Sequence, residues 1–191
     1  MKWFQITLIM VAFISCNPYK YYTKKDFEFY QENFQQKGIL PKTQGVYVLE
    51  KVWTKRNGYI NDHKYKDYIH FYKFFKTGQQ NSYLIPKKEF NSSFSEIVTK
   101  EAQNYKNGDR TLFQGYYKLK KDYIILENVN SALNNFYYSH GKIENDTLTI
   151  ISTENSSLKE FDESKLNFLV KHVYVFKSFN DPSYQDIKPN W

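Results

Sequence analysis

Residues 113–151 read FQGYYKLKKDYIILENVNSALNNFYYSHGKIENDTLTII. This stretch decides the fold, because it holds two consecutive strand–turn–strand units. Successive side chains of a strand point to opposite faces. With Lys118 facing water, Gln114 and Tyr116 share its outer face, and Phe113, Gly115, Tyr117 and Leu119 point inward. After a turn at Lys120–Asp122, Ile124 and Leu126 lie on one face and Glu127 on the other. Tyr137, Ser139, Gly141 and Ile143 form the next inner row, with His140 and Lys142 outside. Asn145 and Asp146 in the following turn tolerate tight backbone angles. Thr147–Ile151 then resumes a β-branched run. Short apolar runs also suit helices, but aromatic and β-branched residues between turn signals favour strands.

The same reading extends in both directions. Gly45–Trp53 is a strand with Glu50 outward and Tyr47, Leu49 and Trp53 inward. Lys51 falls in that inner row and does not belong there; either it sits at a barrel rim or the alternation breaks. Tyr68–Phe75 has Lys73 outward and Tyr68, His70, Tyr72 and Phe74 inward. Lys76–Gln79 is a hairpin turn, Gln80–Ile85 the returning strand, and Pro86 its end. Lys171–Phe179 is the last strand, with His172, Tyr174 and Phe176 on one face. Two helices are expected. Lys24–Lys37 carries Phe27, Tyr30 and Phe34 at helical steps, with Thr23 and Asp26 at its start and Gly38 at its end. Ser93–Tyr105 begins with Ser93 and Glu96 as a capping box. The predicted fold is mainly β: an antiparallel meander closed into a barrel of about eight strands. An N-terminal helix and one inserted helix accompany it. A sandwich and an OB-type barrel are the competing architectures.

Residues 1–15 form a targeting segment. Lys2 precedes an apolar run from Phe4 to Ser15, short of the ~20 residues a bilayer-spanning helix needs. It ends in Phe13-Ile14-Ser15-Cys16, which resembles a bacterial lipobox, with Phe13 where leucine is commoner. The resemblance implies that Cys16 is lipidated and becomes the mature N-terminus. The alternative is an ordinary secretory signal with an incidental cysteine. The expected organisation is a signal peptide over 1–15, a tether over 16–23 and a single barrel domain over 24–191. The expected location is the bacterial cell envelope, at the outer membrane, with the membrane itself as partner through the lipid anchor. Cys16 is the single cysteine of 191 residues, so no internal disulfide can form. The net charge of +7 suits an anionic surface or ligand. Scattered lysines among abundant Asn, Tyr, Phe and Ile also fit an AT-rich coding bias.

No catalytic constellation stands out. The chain has no Gly-x-Ser-x-Gly, no His-Glu-x-x-His and no phosphate-cradling glycine loop. No enzyme activity, cofactor or metal is therefore expected. The histidines are His63, His70, His140 and His172. His70 and His172 fall on inner faces, as a metal pair, as polar groups of a cavity, or, most commonly for such residues, as satisfied core histidines. Asp67, Glu127 and Asp146 make no evident acid–base pair. Lysines interleaved with aromatics also serve OB-folds on single-stranded nucleic acid. An exported chain is not expected to meet nucleic acid.

Three motifs carry a family resemblance over Gly45–Phe179. Gly45-Val46-Tyr47 is similar to the Gly-x-Trp that opens a lipocalin, with Tyr for Trp. Tyr72–Gly78 resembles the second-strand hairpin of small lipocalin-like lipoproteins, and Gly141–Ile150 their late hairpin. The resemblance implies a calyx holding one small apolar ligand. The inner rows put forward Tyr47, Trp53, His70, Tyr72, Tyr117, Tyr137, His172 and Tyr174 as ligand-binding candidates, since rings with polar tips suit an amphipathic molecule. The competing expectation is a packed barrel without a cavity. Its outer face, with Phe71 and Phe75 exposed beside Lys73, would bind an unidentified protein partner of the envelope.

Overall fold

The computed structural model describes residues 22–35, 38–54, 66–104, 114–130, 133, 135–151, 170–179 and 189. The expected signal peptide, Cys16, His63 and Phe113 lie outside them. Alternation produces β1 (Gly45–Thr54), β2 (Tyr68–Phe74), β3 (Gln79–Pro86), β4 (Gln114–Lys120), β5 (Tyr123–Asn130), β6 (Asn135–Glu144), β7 (Thr147–Ile151) and β8 (Val170–Ser178). Each strand pairs antiparallel with the next, and β8 returns to β1, closing a barrel. Among the described residues, the 3₁₀ turn Lys87–Glu89 and one α-helix, α1 (Phe94–Asn104), are inserted between β3 and β4. The start of α1 is the expected capping box: Ser93 N–H donates to Glu96 Oε2 at 3.2 Å, and Glu96 N–H donates to Ser93 Oγ at 3.3 Å.

Three apolar clusters organise the described residues. The interior cluster contains Tyr47, Tyr72, Phe74, Tyr117, Tyr174 and the aliphatic side chains of β5–β7. This matches the inner rows expected for β2, β4, β5, β6 and β8. A second cluster lies outside the barrel wall, where Tyr22, Phe27 and Phe29 cover Tyr116, Ile125, Val129 and Tyr138. A third lies under α1, where Val98 meets Val46, Phe71, Phe75 and Tyr83.

The outer clusters correct several expectations. Tyr116 is outward, as its alternation requires, but it is 1% exposed because Phe27 and Tyr30 pack on its ring. Phe71 and Phe75 are buried under α1 and do not form an exposed patch. Lys73 also points outward and is nevertheless 1% exposed. Its ammonium donates to the carbonyls of Thr43 and Gly45 and faces the rings of Phe75 and Phe179. Burial, with Lys76 nearby, pushes its pKa down to about 7. His140 is on the outer side of β6 yet fully buried. Alternation fixes a face; it does not say what covers that face.

No helix forms over 22–35. Thr23 and Asp26 do cap a turn, with Thr23 N–H donating to Asp26 Oδ2 at 2.7 Å, but only the 3₁₀ turn Lys24–Asp26 follows. The reason is Glu127. Its carboxylate accepts the N–H of Glu28 at 3.0 Å and of Phe29 at 2.8 Å. Those are donors a continuing helix would spend on its own carbonyls. The segment instead lies as a strap over β4–β6. Glu127 is outward but buried, and Tyr138 O–H donates to it at 3.3 Å. Burial raises the Glu127 pKa against the lowering pull of these hydrogen bonds.

The strap then crosses one end of the barrel. Phe34 packs edge-on against Tyr117 at 5.3 Å. A Cβ on Gly78, which has φ +84, would stand 2.6 Å from the Phe34 ring, so this turn takes glycine for both reasons. Ile39 N–H donates to the Lys121 carbonyl at 3.0 Å, and Lys42 pairs with Asp146.

Candidate functional site

The interior candidates divide between the two ends. Tyr47 and Tyr117 have their hydroxyls committed at the strapped end. Lys42 N–H donates to Tyr47 Oη at 2.9 Å, and Tyr117 O–H donates to the Phe75 carbonyl at 3.0 Å. Burial, the dominant cause, raises the Tyr47 pKa. The two rings enclose Phe74, at 5.7 Å and 5.3 Å. These rings pack on one another in the barrel interior.

Toward the other end, His70, Tyr72 and Tyr174 meet. Tyr72 and Tyr174 are 5.1 Å apart between ring centroids, and His70 lies 5.4 Å from Tyr72 and 5.5 Å from Tyr174. The Tyr174 hydroxyl and His70 Nδ1 form a hydrogen bond of 3.0 Å. Alternation delivers all three inward from β2 and β8. His172 follows Tyr174 on the same face of β8, opposite Val52 and Ile150. Tyr137 is opposite Asn128, which accepts from Gln80 Nε2 at 2.7 Å. Gly115 makes room for this buried amide pair, since a Cβ there would stand 2.3 Å from Gln80 Nε2. Gln80 Oε1 has no hydrogen-bond partner among the described residues.

Trp53 falls on the face opposite to the one expected. The β1–β8 register runs Leu49 opposite Tyr174 and then Lys51 opposite Val173, so Glu50 is an extra residue. Such a bulge reverses the alternation that follows it. Val52 thereby faces inward, beside His172, and Trp53 faces outward, opposite Lys171. The Lys171 ammonium sits 5.1 Å from the Trp53 ring centroid. The misfit of Lys51 has the same cause: past the bulge it is an outer residue.

The bulge also marks where β1 leaves β2. β1 pairs with β8 along nine residues, but with β2 only at Tyr47–Tyr72 and Val48–Phe71. A cleft of about 260 Å³ occupies the splay. Leu49, Val52 and His70 line it from the inner faces of the strands, and Val48 and Ile69 from the outer faces. Residues of both faces of the wall therefore border it. Lys51, Lys66 and Lys87 also line it. A second hollow of about 330 Å³ lies between the strap and β4, against Phe34 and Tyr117 at the strapped end. Sequence reasoning missed the cleft. Its one sequence signal is the lysine that breaks the inner row.

Among the described residues, no three His, Cys, Asp or Glu side chains gather as metal ligands. No described helix is long and apolar enough to cross a membrane. In comparison with known proteins, no family model, curated protein or solved structure gives a significant match to the chain. The closed antiparallel barrel of eight strands is compatible with a lipocalin-like architecture.

Proposed function

We propose that this chain is a lipocalin-like, lipid-anchored protein of the bacterial envelope that binds a small amphipathic molecule beside the unstrapped end of its barrel. The observation that carries the binding reading is the His70–Tyr174 hydrogen bond within an aromatic triangle at the edge of the cleft between β1 and β2. Apolar ring faces would hold a hydrocarbon body, and the imidazole and hydroxyl would order a polar group. At about 260 Å³ the cleft is smaller than the ~300–1,000 Å³ of sites for drug-sized ligands, so it suits a slender molecule or part of a larger one. The rings around Phe74 pack on one another inside the barrel, so the proposed site lies beside them and not at the centre of a calyx.

The test uses the full chain and the neutral dye Nile red. Saturable fluorescence enhancement that is displaced by decan-1-ol and weakened by Tyr174→Phe and His70→Ala supports the reading. Enhancement indifferent to both substitutions contradicts it. The competing reading, a packed barrel that binds a protein partner, draws its support from the ring-filled interior. Its expected recognition patch of Phe71 and Phe75 is buried.

Anchoring rests on Phe13-Ile14-Ser15-Cys16. Cys16→Ser is expected to abolish incorporation of labelled fatty acid and release the protein from the membrane fraction. Stable attachment needs more than one acyl chain, as each buried methylene contributes only ~0.8 kcal/mol. An unlabelled wild-type chain would remove the anchor from the proposal.

A further inference from the structure

The cleft between β1 and β2 has an uneven chemistry. Its apolar lining comes from both faces of the wall, Val48 and Ile69 from the outer face and Leu49 and Val52 from the inner. Among the described residues, its charged lining consists of Lys51, Lys66 and Lys87 against a single carboxylate, Glu50. Lys66 and Lys87 are exposed, and Lys51 is half-buried on the outer side of β1. None of the three lysines makes an ion pair among the described residues. At the inner end the lining reaches His70, and through it Tyr174 and Tyr72.

We infer that this cleft is a lateral port that takes a single-chain fatty carboxylate, tail inward and anionic head outward. The inference rests on the ligand-binding reading above and adds to it a route and a charge class. The hydrocarbon chain would pass between β1 and β2, where the two strands have no ladder to separate. It would end against the ring faces of Tyr72 and Tyr174. The carboxylate would remain at the outer mouth among the three ammonium groups, where it keeps most of its hydration and gains their field. A cationic head would meet three like charges there, and a neutral head would gain nothing from them. The bulge is what makes the arrangement possible. It turns Lys51 out of the barrel, and it coincides with the place where β1 parts from β2.

The test compares decanoate, decan-1-ol and decyltrimethylammonium, which share one tail, on the full chain by calorimetry and by displacement of Nile red, at neutral pH. Decanoate is expected to bind about ten-fold more tightly than decan-1-ol, a preference that shrinks with added salt. Decyltrimethylammonium is expected to bind more weakly than either. Combining K51Q, K66Q and K87Q should bring decanoate down to the wild-type affinity for decan-1-ol. Ile69→Glu, which places a carboxylate in the wall of the port, should weaken decanoate further. If decan-1-ol and decanoate bind equally, and His70→Ala weakens both, the anionic port is overturned while the binding reading stands. If no decyl compound binds at all, both fall together.

Discussion

Glu127 and Phe29 lie 98 positions apart in sequence, and the carboxylate of one accepts the backbone N–H of the other at 2.8 Å. With the Glu28 N–H on its second oxygen, Glu127 is the polar fastening of the strap to β5. Glu127→Ala leaves both donors without this acceptor beneath a largely apolar cover. An unsatisfied buried donor costs about 1–3 kcal/mol. The expected result is a lowered urea midpoint with new proteolytic cleavage between Tyr22 and Tyr30. Glu127→Gln, which keeps one acceptor oxygen, should fall between wild type and Ala. Wild-type resistance to proteolysis in Glu127→Ala would show that the aromatic contacts hold the strap by themselves.

Tyr116 and Tyr117 are neighbours on opposite faces, and both are buried. Truncating either to Ala should cost about 3–5 kcal/mol, the range for large buried aromatics. The two losses differ in kind. Tyr116→Ala should loosen the strap and speed its cleavage, whereas Tyr117→Ala should loosen the interior and leave strap cleavage tied to global unfolding. Denaturant titrations read with limited proteolysis would separate them. A loss at Tyr116 within about 0.5 kcal/mol, as surface substitutions give, would contradict its burial.

The two buried charges on the outer wall set opposite pH slopes. Lys73 releases its proton at about 7 in the folded chain, but near 10.5 when unfolded. Between those values the unfolded state binds more protons, so this lysine makes stability rise with pH. Glu127 has a raised folded pKa, so the folded state binds more protons above the ordinary value of 4.5. Its contribution is present below that value and is lost as pH rises through the folded pKa. Lys73→Met should flatten the alkaline slope alone, and Glu127→Gln the acidic slope alone. Urea midpoints measured from pH 4 to 10.5 would check both. A Lys73→Met profile parallel to wild type above pH 7 would place the folded pKa near its usual value.

Val52 and Trp53 invert the ordinary expectation for a small and a large apolar side chain. Val52 faces the interior beside His172, and Trp53 lies outside under Lys171. Val52→Asp would bury a carboxylate among apolar side chains and should abolish cooperative folding. Trp53→Asp should leave a folded protein with a small loss. Circular dichroism melts of the two variants decide the point. A more damaging Trp53→Asp would mean that the alternation of β1 runs through Glu50 unbroken.

Much of the interior was legible in the sequence. Tyr72, Phe74, Tyr117, Ile124, Leu126, Ile143 and Tyr174 alternate with polar or outward residues, and the strand period places them inside. Two kinds of feature were not legible. A bulge adds one residue without any local composition of its own, so Trp53 read as an inner residue and only Lys51 registered the fault. Outer burial depends on what another segment does. Nothing in β2 says that α1 lies on Phe71 and Phe75, and nothing in β4 says that Phe27 lies on Tyr116. The strap itself was misread because Thr23 and Asp26 do start a turn. The acceptor that stops it, Glu127, is far away in sequence. Of the candidate site, the triangle of His70, Tyr72 and Tyr174 follows from alternation, whereas the cleft between β1 and β2 follows from a departure from it.

The antiparallel ladder between β1 and β8 joins the first strand of the barrel to the last. No partial chain can make it. Until residues 170–178 are available, β1 and β7 each present an unpaired edge, and an unpaired edge is where strands of different chains recruit one another. Closure of a ring by its final segment is also a long-range event, which places this barrel among slow-folding topologies. A chain that has not yet delivered β8 therefore cannot close its ring, and the last strand acts as the clasp that covers both open edges at once.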